Sequence, residues 1–246
     1  LKNNLEILSP VDASGRFTEE VQEFAGQRVF EADMPIIEKL KATGALFFTE
    51  EVTHSYPHCW RCKKPVIFRS TRQWFLKIDH NGLRNIINTE IENTRWVPAE
   101  GKNRISSMVK LRPDWCLSRQ RLWGVPIPVF YCEGCNKPVI TNETIQHLEK
   151  LIRDNGSDIW LEKPVKELLP EGFVCPFCEN KERGFHKETD ILDVWFDSGV
   201  SHLAVLKESE GLRWPADLYL EGSDQHRGWF QTSIITACGI KKQAPY

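Results

Sequence analysis

Six of the eight cysteines fall into three Cys-x-x-Cys pairs: Cys59/Cys62, Cys132/Cys135 and Cys175/Cys178. A tight turn of this kind aims two thiolates at one ion, and a second pair completes a closed tetrahedral zinc site. Cys132 and Cys135 lie in FYCEGCNKPV, and Cys175 and Cys178 in FVCPFCENKE. In each run an aromatic or β-branched lead-in precedes turn residues, the pattern of a ribbon knuckle. The gap between these pairs is 39 residues, 136–174, longer than a ribbon needs. A helix fills it: Thr141 is placed as N-cap, Ile145, Leu148, Leu151 and Ile152 form a 3.6-residue stripe, and Asn155-Gly156 ends it. The competing readings are reduced, metal-free thiols or a redox pair. Disulfides fit poorly with the lack of a secretion signal.

Cys59 and Cys62, in HSYPHCWRCKKP, have no partner pair in the sequence. They read as a second half-site whose other ligands lie elsewhere. His54 and His58 are close by but not at ligand spacing. Cys116 and Cys238 have apolar neighbours and are expected in the core as small hydrophobes.

Composition narrows the class. The 246 residues are 41% hydrophobic and 27% charged, which excludes a disordered chain. Net charge is -2, so bulk charge does not indicate a basic nucleic-acid binder, although a local basic stripe is compatible with it. No apolar run reaches the length of a membrane span. The opening LKNNLEILSP has neither an initiator Met nor a signal pattern, as expected for a piece of something longer.

Residues 1–31 are rich in turns, and Asp33 is expected to cap a short helix ended by Gly44. Residues 46–53 and 65–70 read as strands. A helix follows 72–79, with Leu83, Ile86 and Ile87 on one side. Residues 191–196 and 216–220 read as strands, and a helix from about His226 is expected to stop at Gly239. A strand running through a polar loop into a helix is the ligand-binding corner of a doubly wound α/β sheet. Free N–H groups at the helix start favour phosphate there.

Three long runs carry a resemblance: DWCLSRQRLWGVPIP (114–128), DVWFDSG (193–199) and YLEGSDQHRGWF (219–230). Together they resemble the class I aminoacyl-tRNA synthetases, in the isoleucine-specific form of that family. PVDASGRF, HSYPHCWRC and PVIFRSTRQWF extend the likeness over essentially the whole chain. The family's HIGH-type and KMSKS-type motifs do not occur in these residues. The resemblance therefore implies an internal fragment that is inactive alone in adenylate formation.

The implied fold is α/β: part of a Rossmann-type parallel sheet, a zinc-ribbon-like insert and the remnant of a mostly β editing domain. The implied division is an editing remnant at 1–105, a return segment at 106–128, the zinc insert at 129–190 and the second part of the Rossmann domain at 191–246. The implied parent is a monomeric cytoplasmic ligase with no membrane segment. It joins isoleucine to tRNA(Ile) using ATP and Mg²⁺, edits mischarged valine and carries structural Zn²⁺ on Cys132, Cys135, Cys175 and Cys178. The family's adenylate contacts fall on Glu221, Gly222, Asp224 and Gln225. Trp229 and Trp195 fall on the walls of the aliphatic pocket. Such walls exclude larger side chains but cannot strongly reject one a methylene smaller, which is why the family edits. Arg119 and Arg121 are expected on one strand face, toward tRNA phosphates or buried carboxylates. Two other classes compete: a free-standing tRNA-editing hydrolase and a non-enzymatic zinc-ribbon binding module.

Overall fold

The computed structural model describes residues 8–178, 184–207 and 209–246, which form two compact units divided between Arg72 and Gln73.

In the first unit, the Asp12 carboxylate accepts from the N–H groups of Ser14 (2.8 Å) and Arg16 (3.0 Å), closing a turn in which Gly15 takes φ +77°. Helix α1 spans Asp33–Ala42. Asp33 is its first residue rather than its cap; Ala32 precedes it without a side-chain cap. Residues 46–53 and 65–70 are not strands, apart from a bridge between His58 and Pro65. An extended segment becomes a strand only when a neighbour takes its backbone groups in a regular ladder; here the Val66 N–H reaches the Pro57 carbonyl (3.1 Å), but no ladder continues from it among the described residues.

The second unit begins with β1 (Phe75–Leu76), α2 (Leu83–Asn93) and α3 (Glu100–Lys110). Leu83, Ile87 and Ile91 recur every four residues and bury one face of α2. They pack with Ile105 and Val109 of α3. Strands β2 (Trp115–Cys116) and β3 (Ser118–Arg119) follow, β2 pairing antiparallel with β1. The insert contains β4 (Phe130–Cys132), β5 (Pro138–Val139), α4 (Asn142–Asn155), α5 (Ile159–Glu162), α6 (Val165–Leu168) and β6 (Phe185–Lys187). Its sheet is antiparallel in the order β5-β4-β6. Thr141 caps α4 as expected, exchanging bonds with Thr144 in a capping box. Phe130, Leu148, Trp160 and Leu168 fill a separate core here.

The chain returns through β7 (Ile191–Leu192), which pairs antiparallel with β3: Ser118 faces Leu192 and Arg119 faces Ile191. The expected strand to Phe196 stops there. The Asp193 side chain accepts from the Trp195 N–H (3.1 Å) and starts helix α7, Val194–Gly199. Helix α8 spans Trp229–Lys241, and everything from Phe230 to Cys238 is buried. Ile234, Ile235 and Cys238 join the core of Ile78, Ile87 and Ile105, so residues 73–105 share their interior with the last helix. Burying each such aliphatic side chain contributes about 1.5–3 kcal/mol. Thr232, Ser233 and Thr236 bond back to carbonyls one turn earlier, so their hydroxyls are satisfied inside. The helix continues past Gly239, because packing outweighs one glycine's weak propensity, and ends at Lys242 with φ +61°.

The mixed helix and sheet content agrees with the sequence reading. Among the described residues, however, every ladder is antiparallel. Residues 216–220 form no ladder and the chain bends at Asp217, and Leu218 and Leu220 are 76% and 79% exposed. Among the described residues, no strands form the parallel sheet expected around them.

Candidate functional site

The four insert cysteines converge. Their sulfurs lie within 4.8 Å of one another, with Cys132–Cys178 at 3.6 Å and Cys135–Cys175 at 3.8 Å. Zinc–sulfur bonds of about 2.3 Å in a tetrahedron require edges of about 3.8 Å. The donor set thus fits a metal ion. Backbone N–H groups point at the sulfurs: Gly134 to Cys132 (3.3 Å) and Phe177 to Cys175 (3.4 Å). Burial pushes the Cys132 thiol up, but the backbone N–H groups of Cys135 and Gly134 and the neighbouring thiols outweigh it. The net value is about 7, favouring thiolate.

The turn at Cys59/Cys62 repeats the turn at Cys132/Cys135. The Cys59 N–H donates to the Lys64 carbonyl and the Lys63 N–H to the Cys59 carbonyl, both at 2.8 Å. The Cys132 N–H donates to Lys137 (3.2 Å) and the Asn136 N–H to Cys132 (2.7 Å) at the same offsets. Lys63 and Asn136 share positive φ, +59° and +53°. Among the described residues no third ligand converges on Cys59 and Cys62. His54 and His58 each engage a backbone carbonyl through Nδ1. Cys238 is fully buried, and burial pushes its thiol up to about 12; Cys116 is only half-buried.

The second constellation is the loop between the 216–220 segment and α8. Glu221 is exposed and, among the described residues, accepts only from the Gly222 N–H, at 3.3 Å. A Cβ on Gly222 would lie 2.7 Å from the Asp224 carboxylate. Gln225 donates to Asp224 (2.9 Å) and accepts from the Trp229 N–H (2.9 Å), taking one free donor of α8. Gly228 is the joint: a Cβ there would lie 2.4 Å from Gln225 Oε1 and 2.9 Å from the Trp195 ring. Trp229 stacks on Tyr219 with centroids 4.0 Å apart, and its indole N–H donates to the Ser198 carbonyl (2.9 Å). The Trp195 ring therefore packs against Gly228, the residue before Trp229, although Trp195 lies 33 positions earlier in the chain. Glu221 instead lines a cleft of about 600 Å³ with Trp96, Tyr219, Ser223 and His226, to which neither Trp195 nor Trp229 contributes.

A family profile described as tRNA synthetases class I (I, L, M and V) matches residues 8–246. The chain belongs to that family. Among its relatives, isoleucine–tRNA ligase of Syntrophotalea carbinolica is 52% identical over 246 residues, covering 100% of this chain and 26% of the relative. Isoleucine–tRNA ligase of a Sulfurihydrogenibium species is 56% identical over 252 residues, covering 98% and 27%. That of Carboxydothermus hydrogenoformans is 54% identical over 248 residues, covering 100% and 26%. This class I chain spans about a quarter of the length of those relatives.

Arg119 and Arg121 are not brought together. The strand ends at Arg119, whose guanidinium donates to the buried Asp193 carboxylate (2.7 Å) and to the carbonyls of Cys116 and Ser118. Arg121 lies beyond the strand, exposed. Asp193 also accepts from the Trp115 indole (3.0 Å), so one carboxylate ties β2, β3 and α7 together. Of the two expectations for Arg119, the buried carboxylate is the one that forms; that its partner is Asp193, shared with Trp115, was not legible, because these members lie 74 and 78 residues apart. Sequence reasoning also missed the seat of His226, which is buried, bonds Ser223 O through Nδ1 (2.7 Å) and leaves Nε2 unpartnered against Gly101.

Proposed function

We propose that the chain is part of an isoleucine–tRNA ligase, and that the loop from Glu221 to Trp229 holds the aminoacyl-adenylate. The observation that carries this reading is the exposed Glu221 carboxylate at the lip of a cleft, on a loop that Gln225 pins to the start of α8. Glu221 is available to ribose hydroxyls or the substrate ammonium, as an ionised carboxylate accepts from both. Gly222 lets the backbone approach the ligand, and Asp224 and Gln225 set the loop's shape. Trp195 and Trp229 wall the aliphatic side chain on either side of Gly228. In this reaction the isoleucine carboxylate attacks ATP, pyrophosphate leaves, and the aminoacyl group passes to the 3′ end of tRNA(Ile). No side chain need become covalently attached; positioning and charge stabilisation lower the barrier. Mg²⁺ accompanies ATP. Residues 191–246 supply the second part of a Rossmann-type domain, 106–128 return to it, and 1–105 carry the remnant of a valine-editing domain. The parent is a cytoplasmic monomer.

The cysteine tetrad holds structural Zn²⁺ and secures the 129–190 insert. The turn at Cys59/Cys62, matching the tetrad's own, supports a second half-site whose remaining ligands lie outside these residues. Isoleucine-dependent ATP–pyrophosphate exchange tests the function. The full-length protein should show it, Glu221→Gln should reduce it at least tenfold, and the chain of residues 1–246 alone should lack it. Unchanged exchange in Glu221→Gln would refute the loop's role. Deacylation of valyl-tRNA by residues 1–246 alone would favour an editing hydrolase instead.

A further inference from the structure

Thr236 sits two turns into α8 and is 4% exposed, where an isosteric valine would pack as well without a buried hydroxyl to satisfy. Its Oγ1 lies 3.2 Å and 3.0 Å from the carbonyls of Thr232 and Ser233 in its own helix, but 2.5 Å from the Gly199 carbonyl of α7. The nearest acceptor for its single hydrogen is therefore on another element. Gly199 is the last residue of α7, and its carbonyl is one of those that a helix end leaves without an internal partner.

His202, buried behind α7, fixes which way that hydroxyl points. The Trp214 indole can only donate, and it donates to Nδ1 at 2.9 Å; the proton of the neutral ring is thus on Nε2, 3.2 Å from Thr236 Oγ1. The bonds run one way, from Trp214 to His202, from His202 to Thr236, and from Thr236 to the Gly199 carbonyl. A hydroxyl that accepts in this way donates more strongly in turn. Two further contacts tie the end of α7 to α8. The Trp229 indole donates to the Ser198 carbonyl (2.9 Å), and a Cβ on Gly199 would press within 3.1 Å of the Thr232 carbonyl. Helix α7 has six residues and is about 9 Å long. Near its other end Trp195 is 42% exposed, with its ring against Gly228. So short a rod moves as one body, and the seat of its last carbonyls sets where the Trp195 ring stands.

We propose that Thr236, oriented by His202, is a positioning residue that holds Trp195 at its distance from Trp229. On the reading above, on which this inference rests for its link to the reaction, that distance sets the width of the slot for the isoleucine side chain. Both residues act through the Gly199 carbonyl rather than on the substrate.

The test uses the full-length protein labelled with fluorotryptophan, with Thr236→Val, Thr236→Ser, His202→Leu and Trp195→Phe, the last to assign the Trp195 fluorine resonance. Thr236→Val should shift or broaden that resonance. It should also raise the KM for isoleucine in ATP–pyrophosphate exchange about fivefold, with kcat and the KM for ATP within about twofold, as expected when ground-state binding alone is lost. The preference for isoleucine over valine in kcat/KM should fall roughly threefold, since the smaller side chain never filled the slot. Thr236→Ser keeps the hydroxyl and should restore all of these values, whereas His202→Leu should resemble Thr236→Val. An unmoved Trp195 resonance in Thr236→Val would overturn the proposal. So would equal losses in Thr236→Ser and Thr236→Val, which would assign the effect to packing, or a matching fall in kcat with a raised KM for ATP, which would mark general destabilisation. If His202→Leu does not fold, the isosteric Thr236→Val alone decides the result. A moved resonance with the KM for isoleucine unchanged would keep the positioning role and sink the reading of the two tryptophans as substrate walls.

Discussion

His202 gives the structure its sharpest dependence on acid. It is 1% exposed. The Trp214 indole can only donate, so the 2.9 Å contact makes Nδ1 the acceptor and places the proton on Nε2, toward Thr236 Oγ1 at 3.2 Å. The ring is thus held neutral, and burial lowers its pKa from 6.5 to about 4. The unfolded chain takes up a proton near pH 6.5, whereas the folded chain resists until about pH 4. Stability is therefore present above pH 6.5 and drains away as pH falls toward 4. Linkage sets the loss at about 2 kcal/mol between pH 7 and pH 5, and about 3 kcal/mol once pH is below 4. His202→Gln keeps an acceptor for Trp214 and a donor for Thr236 but cannot titrate. Urea denaturation of both proteins from pH 7 to pH 5, followed by tryptophan fluorescence, isolates this residue, because all other titrations cancel in the difference. The variant should start about 1 kcal/mol less stable at pH 7. By pH 5 it should have recovered that deficit relative to the parent and overtaken it. Parallel stability curves, or an NMR titration of His202 centred near pH 6.5, would refute the argument.

Three further outcomes follow from the geometry. Cys175→Ser should remove about one zinc atom per chain by elemental analysis and loosen the 129–190 insert, whereas Cys59→Ser should leave that atom in place. Gly228→Ala places a methyl group 2.4 Å from Gln225 Oε1 and 2.9 Å from the Trp195 ring; it should cost roughly 1–3 kcal/mol in denaturation and raise the KM for isoleucine in the full-length protein. Asp193→Asn weakens a clamp of three donors. Arg119 is partly solvated, so the cost should be roughly 2 kcal/mol in urea unfolding rather than the larger penalty of a sealed pair.

Local signals were legible where one element decides its own shape. The α4 stripe, its Thr141 cap and the Gly156 stop all lie within a few turns, and the Cys132 and Cys175 knuckles carry their geometry in their spacing. The run at 191–196 was misread because its apolar residues suit a strand and a short helix equally. The deciding signal was Asp193, which reads as an N-cap only once its other partners are known. Residues 46–53, 65–70 and 216–220 have strand-like sequences, but a strand needs a neighbour, and sequence pattern does not supply one. Helix α3 was missed because its polar residues left only Ile105 and Val109 to mark a buried side. In the site, the nine residues from Glu221 to Trp229 stood out as one run. The Trp195–Gly228 contact and the Arg119–Asp193 pair appear only after distant segments meet.

The pairing of β3 with β7 has a consequence for the insert's freedom to vary. Ser118 faces Leu192 and Arg119 faces Ile191, while the Ile127 N–H reaches the Asp190 carbonyl and the Leu192 N–H the Val125 carbonyl. Outgoing and incoming backbone therefore run side by side, and the described residues between 129 and 190 leave and return through one narrow stem, braced by the Trp74 indole donating to Glu188 (2.9 Å). Closure entropy rises only slowly with the length of such a detour. Lengthening it, trimming it or replacing it with a tight turn should leave the strands beneath undisturbed, as long as the stem itself is kept.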